Sequence, residues 1–368
     1  MRLPPVEDLT RNQRDIIDLP LVESHLITGA PGSGKSVMAV HRANMLSSQG
    51  RPTMLLMYNK TLRMYTQNAL EELNVDDSVV SGWIGWFKSW FQKAFGVRAP
   101  LSGGLFTFDW PRCIEIALEN SDALREDLKY NVIVDEGQDM PREFWQFIGT
   151  VTKTVTVFAD ENQIITDNNS TVNQIMAVAG IQHRHHLQLN FRNTPAIARV
   201  AGHFYIGAGS PPAEISDSIE DGDAPTLSHH TGIDETIQTL KNYERNNSGK
   251  SIGLFFYYKN NLKTFYERLT NTYNNVERYY YGIDETINFA SPGLKLVTIA
   301  SCKGLEFDTV FIPELQTHKI TDGSAETFRR RMYVMCSRAR TELHMIYSGE
   351  GDPDVINHLP LEDMDDLR

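Results

Sequence analysis

A chain of 368 residues, 41% hydrophobic and 22% charged, is long enough for two ordinary globular domains, each with its own core. The formal charge of -12 argues against a broad coating of nucleic acid but leaves room for a local basic groove. No apolar run of about 18 residues is present to span a membrane, and the opening MRLPPVEDLTRNQRD lacks the apolar stretch of a secretory signal. The three cysteines, Cys113, Cys302 and Cys336, are odd in number, far apart and without zinc spacing, so a cytoplasmic protein free of disulfides is expected.

Along the chain, short apolar and β-branched runs alternate with helical patterns. ESHLITG precedes a helix from about Ser36, TMLLMY precedes a helix through Tyr65 and Leu70, and NVIVD and TVTVFA follow. That alternation predicts an α/β fold with a parallel sheet flanked by helices. HLQLN, SIGLFFYY, LKLVTIA, DTVFIPE and ELHMIYS predict a second such sheet, which divides the chain into 1–185 and 186–368, with a short insert at about 87–130. No Lys or Arg occurs between Arg199 and Lys241, and SPPAEISDSIEDGDAP is rich in Pro, Gly, Asp and Glu, so an exposed acidic excursion is expected over about 206–236.

GAPGSGKS, residues 29 to 36, fits G-x-x-x-x-G-K-[ST] between a strand and a helix. Gly29, Gly32 and Gly34 permit a tight turn whose backbone N–H groups converge on phosphate oxygens at a helix N-terminus. Lys35 is then placed to neutralise the β and γ phosphates, and Ser36 to offer its hydroxyl to Mg²⁺. VIVDEGQDM, residues 132 to 140, ends an apolar strand on adjacent carboxylates. If that strand neighbours the loop in a parallel sheet, Asp135 can hold Mg²⁺ through water and Glu136 can polarise the attacking water. Taken alone, the Asp-Glu pair reads as a strand end meeting solvent; the pairing with the loop points to NTP hydrolysis.

Further motifs follow in order, and together they resemble superfamily 1 helicases of the UvrD/Rep/PcrA type. DEGQD matches the family's D-E-x-Q-D box, LTRNQRDII its Q motif, FADENQ its motif III, LNFRNT its N-Y-R-S, TIASCKGLEFDTVFI its motif V and YVMCSRAR its motif VI. The resemblance runs from Gln13 to Arg340 and implies two tandem RecA-like P-loop NTPase domains with parallel sheets and ATP at the interdomain cleft. It implies Gln13 on the adenine edge, Arg42 and Phe191 as two faces of an adenine sandwich, Gln163 as a γ-phosphate sensor and Glu306 near the ribose and triphosphate. Arg192 and Arg338 would be arginine fingers. Tyr58, Asn59 and Lys60 look like motif Ia and, with Ser301 and Lys303, would hold a strand's backbone.

The chain departs from its larger relatives where their two inserted domains would lie, so it resembles a minimal two-domain engine. Asn168 stands roughly where the family carries a stacking Trp, and Ala300 where motif V has a His. Trp83, Trp86 and Trp90 in SGWIGWFKSWF recur near helical spacing; they are either a packed helix face or replacement base-stacking residues. The Arg329–Arg331 run reads as a solvated helix face, and HRHH at 183 to 186 as a surface cluster without metal-ligand spacing. Two functions are expected. One is an ATP- and Mg²⁺-dependent motor on single-stranded DNA, moving 3′ to 5′ if it follows its relatives, with RNA left open as the track. The other is a helicase-derived ATPase subunit that serves a protein partner, for instance a nuclease in DNA repair or antiphage defence.

Overall fold

The computed structural model describes residues 4–58, 63, 66–67, 70, 76–104, 107–121, 124–164, 169–207, 211–216, 219–271, 275–280, 291–318, 320 and 325–367. Asn59, Lys60, Tyr65 and Asn168 lie outside them. The chain forms two units: Met1–Gln188 with Ala208–Pro211, and Leu189–Gly207 with Pro212–Arg368. Each is an α/β unit built on a parallel sheet.

The first unit holds β1 (His25–Gly29), β2 (Thr53–Met57), β3 (Val80–Gly82), β4 (Asn131–Val134), β5 (Thr154–Ala159) and β6 (His183–Leu187) in the order β3-β2-β4-β5-β1-β6. Among the described residues its five strand pairings are all parallel. Burial of both faces explains why β1, β2, β4 and β5 read as continuous apolar runs. Strand alternation sends Leu26, Val132 and Val134 to one core and Ile27 and Ile133 to the other. Helices α1 (Arg11–Ile17) and α2 (Lys35–Ser48) cover the second face. A capping box between Thr10 and Gln13 starts α1. The first face is covered by α3 (Trp83–Phe95), α4 (Trp110–Glu119), α5 (Arg142–Val151) and α6 (Val172–Ala179).

That first face settles the tryptophan stripe. Trp83, Trp86 and Trp90 are all buried in an aromatic core with Phe87, Phe91, Phe108, Phe144 and Phe147. Trp86 stacks on Trp90 with centroids 5.7 Å apart, and the Trp90 indole donates to the Leu128 carbonyl at 2.9 Å. The base-stacking expectation for Trp83 and Trp86 is therefore corrected: these rings are packed inside a helix-on-sheet layer and have no free face.

The second unit's sheet comprises β7 (Thr226–His230), β8 (Ser251–Phe256), β9 (Val276–Tyr279), β10 (Gly293–Thr298), β11 (Phe307–Ile312), β12 (Ala339–Ser348) and β13 (Asp365–Leu367). Its order is β9-β10-β8-β11-β12-β7-β13, and every pairing among the described residues is again parallel. Ile252, Leu254 and Phe256 of β8 pack against Leu240 of α8 (Ile233–Asn246, with the helix α7 at Pro195–His203 preceding it) and against Leu262, Phe265 and Leu269 of α9 (Lys259–Thr270). The last long helix, α10, covers Ala325–Cys336.

Three expectations change. HLQLN is not one strand: β6 ends at Leu187 in the first unit, and Leu189–Asn190 belongs to the second, where it pairs with Glu214–Ile215. The acidic excursion stops short of residue 226, because TLSHH enters the sheet between β12 and β13 and α8 follows. That strand escaped the sequence pattern because Leu227 is its only aliphatic residue. In the Arg329–Arg331 run, Arg329 donates to the carbonyls of His203 and Tyr205 at 2.7 and 2.9 Å, and Arg331 to the Tyr257 hydroxyl at 2.9 Å, so two of the three arginines tie chain segments together. Among the described residues, no helix is long and apolar enough to cross a membrane.

Two stability predictions follow from these cores. Trp86→Ala should cost about 3–5 kcal/mol in chemical denaturation, as expected when a buried indole is removed. His318 is buried beside Tyr257 and Phe328, and neither ring nitrogen has a hydrogen-bond partner among the described residues. Burial, helped by Arg331, lowers its imidazole from 6.5 to about 4. The unfolded chain therefore takes up the proton first as pH falls, and stability should drop between pH 6.5 and 4 by on the order of 3 kcal/mol. His318→Leu should flatten that part of a urea-denaturation series across pH.

Candidate functional site

The C-terminal ends of β1, β5 and β4 carry the site. The turn after β1 needs left-handed backbone at Gly32 and Gly34, with φ of 80° and 91°, and Gly34 caps α2 directly before Lys35. The Lys35 ammonium is buried, donates to the carbonyls of Gly29 and Ala30 at 2.6 and 3.0 Å, and lies 3.9 Å from the Asp160 carboxylate. Ser36 donates to Asp135 Oδ2 at 2.6 Å. Asp135 Oδ1 is buried with no hydrogen-bond partner among the described residues. Burial, followed by the adjacent Glu136 carboxylate, pushes Asp135 up to about 7, against the opposing pull of Ser36 and Lys35.

The Asp135 strand was expected to neighbour the loop's strand, and this is corrected: β5 lies between β4 and β1. Strand order is set by crossover connections, which local sequence does not encode. The intervening strand contributes its own end residue, Asp160, which accepts from Gln163 Nε2 at 2.8 Å and from the Asn162 backbone at 3.0 Å. Glu136 sits in left-handed backbone at φ 56°, a conformation that costs a non-glycine residue about 1 kcal/mol or more and is concentrated at functional sites. Its Oε2 accepts from Gln138 Nε2 at 2.6 Å. Gln138 and Asp160 stand inside the DEGQD and FADENQ boxes, which by residue type alone assign neither of them a role.

Gln13 is buried against the loop, donating through Nε2 to the Ser33 carbonyl at 3.3 Å and accepting from the Thr10 N–H at 3.1 Å. Arg42 is corrected. It is 1% exposed and donates to Thr156 Oγ1, Leu19 O and Pro20 O at 3.0, 2.8 and 2.9 Å. Burial lowers it to about 10. With all three nitrogens committed, Arg42 fastens α2 to the Leu19–Pro20 segment and to β5, and offers no plane to a base. Of the proposed strand contacts, Tyr58 is exposed at the end of β2, whereas Ser301 and Lys303 are buried. Ser301 takes a hydrogen bond from the Thr298 hydroxyl at 3.3 Å, so the picture of two open phosphate contacts does not hold there.

The second unit assembles its own cluster. Arg192 Nε pairs with Glu306 Oε2 at 3.1 Å, and its Nη1 reaches the Ser337 carbonyl at 3.4 Å. The Asn190 side chain fixes the turn by accepting the Arg192 N–H at 2.9 Å. Arg338 is buried, donating to Val334 O at 3.0 Å and to Ser337 Oγ at 3.1 Å. Burial raises the Glu306 carboxyl, but the Arg192 and Arg340 guanidiniums outweigh it and hold it below the usual carboxylate range. Phe191 stands half-buried beside Arg192. Residues from three separated motifs, Arg192, Glu306 and Arg338, are thus brought together around Ser337.

A family model described as "Schlafen group 3, DNA/RNA helicase domain" matches residues 23–201, and one described as "UvrD-like helicase C-terminal domain" matches 294–346. The RecBCD enzyme subunit RecB of Chlamydia pneumoniae is 46% identical over 52 residues, 14% of this chain and 5% of that protein. RecB of Chlamydia muridarum is 39% identical over 70 residues, 18% of this chain and 7% of that protein. The matched segments are thus a small part of these curated relatives. The arterivirus nonstructural protein 10 (helicase), solved in complex with DNA, is similar at 14% identity with a TM-score of 0.45, over 94% of this chain and 64% of that one.

Two α/β units carrying a glycine loop, strand-end carboxylates and a separate arginine cluster define a helicase-type ATPase class. With the motif order running through both units, residues 23–201 and 294–346 are similar to helicase domains of the Schlafen and UvrD-like types. One local feature tests the packing of the carboxylate turn. A Cβ at Gly137 would lie 2.4 Å from Val157 Cγ1 and 3.2 Å from the Trp145 ring. Gly137→Ala should destabilise the protein by about 1–3 kcal/mol, read as a shifted denaturation midpoint at unchanged slope.

Proposed function

We propose that the protein hydrolyses ATP with Mg²⁺ and couples turnover to movement on single-stranded DNA, in the 3′ to 5′ sense its resemblance implies. The observation that carries this reading is the meeting of Lys35, Ser36, Asp135, Glu136 and Asp160 at the ends of three parallel strands. The donor set fits a hard divalent cation, because Ser36 and Asp135 are oxygen ligands and Asp135 Oδ1 is a buried acceptor with no partner among the described residues. When bound, Mg²⁺ neutralises phosphate charge. Glycine-loop N–H groups and Lys35 bind and orient the phosphates, and Glu136 takes the proton of the attacking water. Gln163 is assigned to sense the terminal phosphate, and Arg192 and Arg338 to offset the charge that develops on the transferred group.

Gln13 and Phe191 are assigned to the base, Glu306 to the ribose and triphosphate, and Tyr58 to the nucleic acid. A second reading is an ATPase subunit serving a nuclease partner. It is favoured by the short RecB matches and by the burial of the tryptophans that would otherwise stack on bases. Copurification from the native host separates the two, since recovery as a lone active monomer counts against the subunit reading.

Phosphate release should rise with single-stranded DNA, and stimulation by no DNA or RNA oligonucleotide would remove the motor reading. Lys35→Ala and Glu136→Gln should each lower release by roughly 100-fold or more while leaving the melting curve in place. Turnover surviving in both variants would mean that the site lies elsewhere.

A further inference from the structure

The geometry points to Gln138 as the positioning residue that aims the Glu136 carboxylate and joins it to the loop after β5, a role that rests on the ATPase reading above. Gln138 is fully buried. Its side-chain nitrogen donates to Glu136 Oε2 at 2.6 Å, and its side-chain oxygen accepts the Asp160 backbone N–H at 3.0 Å. A primary amide donates at one end and accepts at the other. A carboxylate of the same size would repel Glu136, and a hydrocarbon would leave the Asp160 N–H unpaired.

The same residue anchors the far end of the loop. Its backbone carbonyl accepts the Ser170 N–H at 2.9 Å, and Ser170 Oγ donates to Met140 O at 2.7 Å. Both Asp160 and Ser170 are thereby held to the turn that carries Glu136. Asp160 in turn receives the Gln163 amide at 2.8 Å and faces Lys35 at 3.9 Å. A continuous polar path therefore runs from Glu136 through Gln138 and Asp160 to Gln163 and Lys35. A general base acts only within hydrogen-bond reach of the proton it removes. A long side chain on left-handed backbone has many ways to miss that position. Gln138 removes those alternatives, and any shift of the Asp160–Gln163 segment reaches Glu136 through it.

The test compares ATP turnover of the purified full chain, with Mg²⁺ and single-stranded DNA, in wild type, Gln138→Leu and Gln138→Glu, together with melting curves and ADP binding. Gln138→Glu keeps the volume and the acceptor for Asp160 but loses the donor to Glu136, so it carries the test if Gln138→Leu does not fold. Both variants should lose kcat by roughly 10- to 100-fold, as supporting residues around reactive groups typically do, with the KM for ATP and the ADP affinity unchanged. Wild-type kcat in folded variants would overturn the inference alone, as would a loss shared by KM and ADP binding. Absence of phosphate release from the wild type would remove the ATPase reading and this inference with it.

Discussion

Ser36 and Asp135 are separated by 99 residues in the chain and meet at 2.6 Å, and the proposed ATP site depends on that meeting. It requires β1, β5 and β4 to run parallel, so that three strand ends open on one edge of the sheet. A hydrogen bond to a charged group is worth about 1.5–3 kcal/mol. Here it is set against the burial of Asp135 beside Glu136, and burial prevails: the carboxyl is pushed up to about 7. One oxygen of this buried carboxyl has no hydrogen-bond partner among the described residues, an arrangement that folding alone does not favour.

The aromatic residues of the first unit are committed to the opposite need. Helix α3 presents Trp83, Trp86, Phe87, Trp90 and Phe91 to the sheet and to its neighbouring helices, so the segment between β3 and β4 seals one face of the core. Arg42 behaves in the same way on the other face, where its guanidinium replaces an apolar contact with three hydrogen bonds to fixed oxygens. Both motifs resemble ligand contacts when read as residue types. Both are structural because the surrounding layers leave them no open side.

Legibility in the sequence followed contiguity. GAPGSGKS is readable because glycine, lysine and serine at fixed spacing act through backbone that is local to the turn. The alternation of buried strands with helices is readable because strands buried on both faces are apolar throughout. β7 was not readable, because TLSHH gains its place from Leu227 and from pairing with β12 and β13. The Gln138 contacts were equally invisible, since its partner Asp160 arrives from the end of another strand.

The α/β class, the phosphate-type loop and the kinds of side chain that a site of this chemistry needs are all legible in the order of amino acids. Only in the folded chain does β5 come to stand between β1 and β4, do the tryptophans and Arg42 turn inward, and does Gln138 meet its partners. The physical reason is range. Backbone preferences and periodicity act over a few residues, whereas strand order and side-chain partners are settled by packing between segments about a hundred residues apart.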